Sequence, residues 1–359
     1  MGTVCAVVLT YNRKELLNEC LQAIWNQTHP CDHILVVDNA SSDDTPEMLA
    51  QYWADRVEVH LLPTNVGAAG GFNACMRLAY QTGMDHIWVM DDDVIADPTA
   101  LARLLAADDV LASRNVEAPF LISTARAPSG VLTNVPEISR RLNSLAYDDW
   151  PDLLDQRIVP VERATFVSIL LPRETLTQHG LPISSMFIWG EDSEFTIRVT
   201  RERPAYLVGD SRVVHVRQLS GMLDIEKEQS PARISYHFHR IRNDMYLRRR
   251  YEGSRSVARY VFRQLRLITR FCGNGHFHKA RIVLSGIAKG LFFNPKVEGA
   301  TSPFDKAGMR SFGWRARLTG GPVVRQEPET PLPNLPPDVR ISDCSYLTVA
   351  NPHPFPRSP

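Results

Sequence analysis

Short apolar runs alternate with helical patterns through the first 120 residues, and this alternation limits the fold more than any other feature. The runs at residues 4–10, 33–38, 57–62 and 86–90 are rich in β-branched side chains and have the length of buried strands. A strand–helix repeat of this kind predicts an α/β domain in which helices cover both faces of a mostly parallel sheet. Ligands of such domains bind at the carboxyl ends of the strands.

Local signals mark the expected helix starts. Asn12 and Glu15 have the spacing of a capping box, and Pro46 and Pro98 each follow a side chain that favours the N-cap position. We therefore expect helices at residues 12–27, 45–53 and 70–81, and another after residue 97.

The rest of the chain divides by composition. Strand-like runs occur at residues 120–124, 165–171, 205–208 and 213–216, with a helix start at Glu191. Residues 233–293 have helical patterns. From residue 320 onward there are ten prolines in forty residues and no apolar period, which predicts an extended or disordered tail.

Charge is distributed unevenly, although the chain carries 40 basic and 40 acidic side chains. Residues 1–232 hold 18 basic and 32 acidic side chains, whereas residues 233–289 hold 14 and 2. An acidic body is therefore joined to a basic segment, and the two parts are expected to have different partners.

The basic segment contains an amphipathic pattern over residues 255–272. Four arginines fall in one narrow stripe opposite an apolar face; they are Arg259, Arg263, Arg266 and Arg270. Three interpretations stay open: a helix packed on the preceding domain with solvated arginines, a helix lying on anionic lipid, and a nucleic-acid-binding segment. No recognised nucleic-acid motif accompanies the charge, so we expect no nucleic-acid partner.

Cysteine usage and hydropathy indicate the cellular compartment in which the protein is expected. The six cysteines form no CxxC pair, which favours a reducing, intracellular environment. No apolar run approaches the ~20 residues that span a bilayer, and the N-terminus has no signal-peptide pattern. These features predict a soluble or peripheral protein.

Polar groups follow each of the first four predicted strands. They are Thr10, Tyr11, Asn12 and Arg13 after the first, Asp38 after the second, Asn65 with Gly70 and Gly71 after the third, and Asp91, Asp92 and Asp93 after the fourth. Because the ends of parallel strands meet at one edge, these groups should converge there. Asp38 can accept hydrogen bonds from a nucleobase or ribose, and the glycines allow close backbone approach. The loop is neither GxGxxG nor GxxxxGK[ST], so a dinucleotide fold or P-loop ATPase fits poorly.

Two acidic clusters carry the expected chemistry. Three adjacent carboxylates at residues 91–93 repel one another without a cation and suit Mg²⁺ or Mn²⁺; the alternative is a solvated acidic turn. Glu191 and Asp192 lie at a helix start, where one can act as a general base on an acceptor hydroxyl; alternatively both only stabilise the helix. His215, on a strand-like run, is either structural or a further metal ligand.

These segments together resemble the inverting sugar-nucleotide glycosyltransferases of family two, which have the GT-A fold. The resemblance is carried, in the family's order, by TYNR, VVDNASSD, NVGAAGG, WVMDDDV, WGEDSEF and the later His215. It covers about residues 3–250 and is closest to bacterial galactofuranosyl- and rhamnosyltransferases. We therefore expect a Rossmann-like GT-A catalytic domain at residues 1–232, with a nucleotide-binding part at 1–120 and an acceptor-binding part at 121–232. A basic helical region at 233–295 and a Pro-rich tail at 296–359 follow.

The resemblance also implies roles for single residues. The nucleotide-sugar pocket would comprise Thr10, Tyr11, Asn12, Arg13, Asp38, Asn65, Gly70, Gly71, Asp91 and Asp92. Asp91, Asp93 and His215 would hold Mn²⁺ or Mg²⁺, and Asp92 would contact donor hydroxyls or ribose. Asp192 would be the general base and Glu191 its neighbour in the catalytic pair or a sugar contact. Trp189 would stack on a sugar, and Arg242 would meet acceptor or donor phosphates.

The expected activity is a metal-dependent single displacement with inversion, in cell-surface polysaccharide or glycolipid synthesis at the cytoplasmic face of the membrane. UDP-galactofuranose is the first expected donor and dTDP-rhamnose the second, and the acceptor is a saccharide or a polyprenyl-linked glycolipid. The rivals are a catalytically silent sugar-nucleotide-binding scaffold and a nucleotidyltransferase, which would release diphosphate instead of a nucleoside diphosphate.

Overall fold

A computed structural model describes residues 2–216, 224–304 and 306–313. The strands are β1 (Val4–Thr10), β2 (His33–Asp38), β3 (Glu58–Leu61), β4 (His86–Asp91), β5 (Val94–Ala96), β6 (Leu121–Arg126), β7 (Glu137–Ile138), β8 (Ile158–Arg163), β9 (Ile169–Pro172), β10 (Ala205–His215) and β11 (Arg310–Gly313). The helices are α1 (Lys14–Trp25), α2 (Thr45–Tyr52), α3 (Gly67–Gln81), α4 (Ala100–Ser113), α5 (Arg173–His179), α6 (Glu191–Val199), α7 (Pro231–Leu247), α8 (Ser254–Gly273) and α9 (Phe277–Phe292). Within these ranges the strands form one sheet in the order β11-β3-β2-β1-β4-β9-β6-β10-β8-β7, and β5 pairs with β10.

Strands β1 to β4 form the parallel part of the sheet. β1 lies between β2 and β4, and β2 also pairs with β3, all in parallel. Every residue of β1 and β2 is buried, since both faces of the sheet are covered, as the unbroken apolar runs predicted. The register pairs Thr10 with Asp38 and Leu9 with Asp91, so the polar ends of three strands meet at one edge.

The second half of the sheet is mixed. β9 is antiparallel to both β4 and β6, whereas β10 is parallel to β6 and antiparallel to β5 and β8. The runs at 205–208 and 213–216, predicted as separate strands, belong to the single strand β10, whose pairing shifts register between Val208 and Arg212. The predicted α/β architecture is confirmed, but the sheet is mixed and not mostly parallel, because β5, β8, β9 and β11 all join it in antiparallel pairs. Its parallel pairs are concentrated in β1–β4.

Two helices begin later than their local signals predict. The N-cap of α1 is Arg13 and makes no side-chain cap hydrogen bond, so the predicted capping box is wrong. Asn12 instead has a φ of 54°, and its Oδ1 accepts a hydrogen bond from the Ser42 backbone N–H at 2.7 Å. α4 begins at Ala100, and the Gln27 side chain accepts a hydrogen bond from a backbone N–H of its first turn at 3.0 Å. Long-range contacts thus replace the expected local caps.

The three C-terminal helices share a core of their own. α9 packs against both α7 and α8, and the cluster includes Met245, Tyr260, Phe271, Val283 and Ile287. The apolar face of α8 is thus packed, while the arginines at 259, 263, 266 and 270 are exposed. Within the described ranges no helix is both long and apolar enough to cross a bilayer.

Part of the region expected as a tail folds back on the domain. The Arg77 side chain is fully buried, donates to the carbonyl of Ser302 at 2.6 Å and pairs with the Glu298 carboxylate. β11 then adds an antiparallel edge strand to β3. The tail therefore begins later than residue 296, and residues 314–359, with the proline-rich stretch, lie outside the described residues.

Candidate active site

Two carboxylates and one imidazole converge at the edge where β4 ends. The ligand atoms of Asp91, Asp93 and His215 all lie within 4.8 Å of one another. β5 runs antiparallel to β10 and pairs Val94 with His215, and this pairing brings the histidine to the carboxylates that lie 122 and 124 positions earlier in the chain. The structure therefore brings together the three residues expected to hold a metal ion.

The carboxylates at this end of β4 repel one another, as their pKa values show. Burial and the charges of Asp93 and Asp92 hold the pKa of Asp91 well above its usual value. Burial raises the pKa of Asp92 to about 6, against the opposing charge of Arg13. Burial also acts to raise the pKa of Asp93, but its interactions with His215 and Arg13 outweigh burial and lower that pKa. A bound cation would relieve the repulsion between these carboxylates.

The donor set fits a hard divalent cation. The Asp93 Oδ1 atom is buried and makes no hydrogen bond of good geometry, although the His215 Nε2 atom lies 3.1 Å away. One ligand atom of each of these two residues also lies within 4.8 Å of an Asp91 carboxylate oxygen. Two carboxylate oxygens and an imidazole nitrogen are ligands that Mn²⁺ and Mg²⁺ sites use.

Asn134, which we did not predict, supports the histidine of the cluster. Its Oδ1 lies 2.9 Å from His215 Nδ1, and its Nδ2 donates to Thr165 Oγ1 at 3.2 Å. A proton on Nδ1 donated to this oxygen leaves the Nε2 lone pair for a metal. No local sequence pattern identifies Asn134, because it stands in an irregular loop 81 positions from His215.

The Asp92 carboxylate joins the first loop to the acidic turn. Its Oδ2 accepts hydrogen bonds from Thr10 Oγ1 at 2.8 Å and from the Tyr11 backbone N–H at 3.3 Å. Arg13 Nη1 lies 2.9 Å from Asp92 Oδ1 and 2.7 Å from Asp93 Oδ2. Asp92 is 4% exposed. Its oxygens are thus occupied within the protein, a geometry that suits a positioning residue better than a sugar contact.

Asp38 borders a pocket of about 290 Å³ at the end of β2. Its carboxylate accepts hydrogen bonds from the Ser41 N–H at 3.1 Å and from the Ser41 hydroxyl, and burial raises its pKa. The pocket is also lined by Leu62, Gly308 and Arg310. Arg310, on β11, reaches this pocket from the region that the sequence predicts as a tail.

Asn39 orders the loop after β3, another contact that the sequence did not reveal. Its Nδ2 donates to Asn65 Oδ1 at 3.2 Å and to the Gly67 carbonyl at 3.1 Å, and its Oδ1 accepts from the Val66 N–H at 2.9 Å. Asn65 is exposed beside this loop.

The glycines of α3 serve internal packing. A Cβ on Gly71 would lie 2.5 Å from the Leu9 side chain, and one on Gly70 would lie 2.7 Å from Val66. The space left by these two glycines is therefore filled by the protein, which lets α3 pack closely on β1.

A tight turn at residues 184–190 presents Trp189 and the acidic pair. The Asn243 side chain, fully buried on α7, donates to the carbonyls of Met186, Ile188 and Trp189 at 3.0, 3.2 and 2.9 Å. Arg242 donates to the Ser185 and Met186 carbonyls at 2.8 and 3.0 Å. Arg242 is thus tied to the turn, and Asn243 fixes the backbone that leads into α6.

Glu191 and Asp192 begin α6 next to the metal cluster. Glu191 is 5% exposed, and burial, with the charge of Asp192, raises its pKa well above the usual value. Burial also raises the pKa of Asp192, whose Oδ1 accepts the Ser193 N–H at 2.6 Å. The charge of Asp192 in turn raises the pKa of Asp91, so the pair and the cluster share one electrostatic environment.

Trp189 lies in an aromatic group beside the acidic pair. Its ring is half-buried, meets Tyr236 edge-on with centroids 5.9 Å apart, and lies 5.1 Å from the His237 ring. The Arg233 guanidinium lies 5.7 Å from its centroid. Trp189 has a φ of 60°, which the bonds from Asn243 hold in place.

A cysteine near the cluster takes no part in it. Cys20 Sγ lies 3.6 Å from the Asp91 carbonyl, and burial with the charges of Asp92 and Asp93 raises the pKa of this thiol well above its usual value. A protonated thiol is a poor metal ligand. Cys5, Cys75 and Cys272 are also free thiols, and Cys344 lies outside the described residues.

Parts of this chain are similar to known proteins. Residues 5–111 match the model of the family described as Glycosyl transferase family 2. The galactofuranosyltransferase GlfT1 of Mycolicibacterium smegmatis is 30% identical over 203 residues, which cover 55% of this chain and 65% of that protein. The undecaprenyl-phosphate mannosyltransferase of Micrococcus luteus is 31% identical over 153 residues, covering 42% of this chain and 59% of the relative. The chain thus spans less than two thirds of the length of these curated relatives.

Among solved structures, S. aureus TarS 1–349 in complex with UDP aligns with a TM-score of 0.46 and 17% identity, covering 68% of this chain and 64% of that one. The family match includes the ends of β1, β2 and β4, where Thr10, Asp38 and Asp91 meet. Residues 5–111 of this chain therefore form a Glycosyl transferase family 2 domain.

Proposed function

We propose that this protein is a glycosyltransferase that moves a sugar from a nucleoside diphosphate donor to a saccharide or lipid-linked acceptor. The observation that carries the proposal is the convergence of Asp91, Asp93 and His215 within 4.8 Å of one another, in one electrostatic environment with Asp192. The Asp38 pocket lies at the carboxyl end of β2, which pairs with β1 beside β4. One sheet edge thus offers a nucleotide pocket, a cation site and a base.

Galactofuranose is the sugar that we propose first. Relatives named galactofuranosyltransferase GlfT1 support this choice, since they match 55% of the chain at 30% identity. A dTDP-rhamnose donor is the alternative. The pocket beside Asp38 would hold the nucleobase of either donor, and the assay with both sugar nucleotides distinguishes them.

Each side chain of the site has its own role in the proposed reaction. Asp91, Asp93 and His215 would hold a divalent cation, which when bound supplies charge neutralisation for the leaving diphosphate. Asp192 accepts the proton of an acceptor hydroxyl, whose oxygen forms a bond to the anomeric carbon as the bond to the diphosphate breaks on the opposite face. The raised pKa of Asp192 makes it a stronger base than an exposed aspartate. Glu191, more deeply buried, suits a supporting role beside it.

Nucleoside diphosphate release with a panel of sugar nucleotides, in Mn²⁺, in Mg²⁺ and in chelator, tests the proposal. We expect release with UDP-galactofuranose that requires a cation and falls by about 10²–10⁴ in Asp192→Ala. Asp109→Ala, which removes an exposed acid from α4, is the matched control.

Three outcomes would contradict this assignment. Full activity in Asp192→Ala would remove Asp192 as the base. Release of diphosphate would identify a nucleotidyltransferase instead. Donor binding without turnover, for every acceptor offered, would favour a catalytically silent scaffold.

We also propose that the outer surfaces of α8 and α9 lie on an anionic membrane at its cytoplasmic face. Arg259, Arg263 and Arg266 are exposed and have no carboxylate partner in the described part of the chain. Large apolar side chains are exposed on the same two helices: Phe262 at 64% and Phe292 at 85%. Exposed arginines next to exposed aromatic rings are typical of helices that lie in a lipid interface.

A further inference from the structure

A groove of about 540 Å³ lies between α7 and α9, away from the metal cluster. Its apolar walls are the rings of Phe187, Tyr236 and Phe238, and its polar lining includes His278, Arg281 and Ser285. Among the described residues no carboxylate lines this groove, so its lining is not suited to a metal ion or to a cationic ligand.

The groove is connected to the catalytic turn by aromatic rings. Phe187, in the turn at residues 184–190, lies 6.2 Å from Tyr236 between ring centroids. Tyr236 in turn meets Trp189 edge-on at 5.9 Å, two positions before Glu191. A molecule in the groove can therefore extend toward the acidic pair at the start of α6.

Arg281 supplies the positive charge of the groove. It is exposed, and in the described ranges its guanidinium has no ion-pair or hydrogen-bond partner. Burial and the charge of Arg242 lower the pKa of His239, which also lines the groove, to about 4, so that ring is neutral at pH 7. An unpaired arginine favours an anion, and phosphate oxygens match its planar donors.

The surface next to Arg281 is apolar. Phe277 and Leu284 lie four positions before it and three after it, so all three share one face of α9. These two apolar side chains are 66% and 55% exposed. The combination of a cation, an aromatic groove and an apolar approach fits an amphiphile with one long chain and a phosphate group better than it fits a free saccharide.

We propose that this groove binds the phosphate-bearing apolar anchor of the acceptor, with Arg281 on the phosphate and the aromatic rings on the chain. The proposal rests on the proposed function only for naming this ligand as the acceptor. It places the anchor between α7 and α9, with the sugar end directed past Tyr236 toward Trp189.

Calorimetric titration of the full chain with soluble probes in metal-free, chelator-containing buffer tests the groove. The probes are farnesyl diphosphate, farnesol and inorganic diphosphate, each below its aggregation concentration. We expect farnesyl diphosphate to bind about tenfold more tightly than either of the other two, because only it has both the anion and the chain. Equal binding of inorganic and farnesyl diphosphate, or no binding of the latter, would overturn the proposal.

Two variants locate the binding. Arg281→Glu reverses the charge and Ser285→Trp fills the groove, and each should weaken farnesyl diphosphate binding by about tenfold or more. The matched controls are Arg103→Glu and Ala106→Trp at exposed positions of α4, with less than a twofold effect. Thermal melting checks that all four variants fold. Wild-type affinity in both groove variants would refute the site.

The test separates this inference from the proposed function. Farnesyl diphosphate binding without release of nucleoside diphosphate from any donor would support the groove and count against the transferase. Donor turnover without farnesyl diphosphate binding would support the transferase and overturn the groove.

Discussion

The Nδ1 atom of His215 lies 2.9 Å from Oδ1 of Asn134, while its Nε2 lies 3.1 Å from Oδ1 of Asp93. An amide oxygen can only accept a hydrogen bond, so it selects the tautomer with a proton on Nδ1. The free lone pair of Nε2 then faces the carboxylates of the proposed cation site. Asn134 therefore orients the imidazole so that its Nε2 atom is available to the proposed cation site.

Replacing Asn134 should weaken metal binding. Asn134 has a φ of 49°, so Asn134→Gly removes the amide without straining the backbone. We expect Mn²⁺ affinity, measured by titration calorimetry, to fall by about 10–100-fold. Asn134→Asp keeps an acceptor and should restore most of the affinity, and Asn26→Gly at an exposed position is the control. Wild-type affinity in Asn134→Gly would show that the histidine does not need this partner.

Removing the Asn243 amide should uncouple acceptor use from donor binding. Asn243→Ala deletes three hydrogen bonds to the turn that carries Trp189 and leads into Glu191. A displaced turn misplaces the base, so we expect kcat with acceptor to fall by about tenfold or more, with UDP affinity within a factor of two. The free energy of unfolding should also fall by about 1–3 kcal/mol, since buried carbonyls lose their donor.

The control for this change is Asn274→Ala, an exposed position after α8. Kinetics and urea unfolding are measured on both variants. A loss of stability with kcat and acceptor KM unchanged would make Asn243 a purely structural residue.

Local sequence patterns are sufficient to predict much of the parallel half of the sheet. The strands at residues 4–10 and 33–38 are unbroken apolar runs, and the polar residues after them lie where parallel strands must converge. The acidic triplet at residues 91–93 could be predicted as a candidate metal site for the same reason, because it directly follows one strand. Local order along the chain was sufficient for these features.

The remaining features depend on pairings between distant segments. His215 reaches Asp93 only because β5 turns back along β10, and Asn134 reaches His215 through an irregular loop. The segment at residues 310–313 joins β3 as an edge strand, a contact across about 250 positions that no period in its sequence indicates. The predicted local cap does not form at Asn12, because the Asn12 side chain accepts a long-range hydrogen bond from the Ser42 N–H instead.

Arg310 should contribute to nucleotide binding. It lines the same pocket as Asp38 and is exposed at its rim, where a cation attracts the donor's phosphates. We expect Arg310→Ala to lower UDP affinity in Mn²⁺ by about fivefold to tenfold, the scale of one charge-assisted contact. Lys306→Ala removes an exposed cation whose Nζ lies 3.2 Å from the Gln81 side chain, and should change UDP affinity by less than twofold. Equal affinities in both variants would leave β11 with only its role as an edge strand.

Glu58 should make stability depend on pH in the acid range. Its carboxylate lies 3.0 Å from His33 Nε2 and 3.1 Å from His60 Nε2, and hydrogen bonds from both rings hold its pKa well below the usual value. A lowered folded-state pKa stabilises the protein above the unfolded-state value of about 4.5, and this stabilisation is lost as the pH falls further.

The measurement is urea unfolding of wild type and Glu58→Gln at several pH values. We expect the stability difference between them to be largest above about pH 5 and to shrink toward pH 3. Glu47→Gln, an exposed change on α2, corrects for general acid effects. A difference that stayed constant across this range would mean that the two histidines do not favour the ionised carboxylate.

Charge reversal on α8 should reduce membrane binding. Each basic side chain near an anionic surface contributes about 1 kcal/mol, so Arg263→Glu/Arg266→Glu should weaken binding to phosphatidylserine-containing vesicles by more than about tenfold. Arg103→Glu/Arg201→Glu makes the same charge change at exposed positions elsewhere and should have a smaller effect. Wild-type binding should also weaken with salt, since screening acts on exposed charges. Co-sedimentation with vesicles measures the binding of the variants and its salt dependence. A specific surface on α8 requires the loss of binding to depend on the position of the charges. Equal losses in the two double variants would therefore contradict such a surface and leave net charge as the cause.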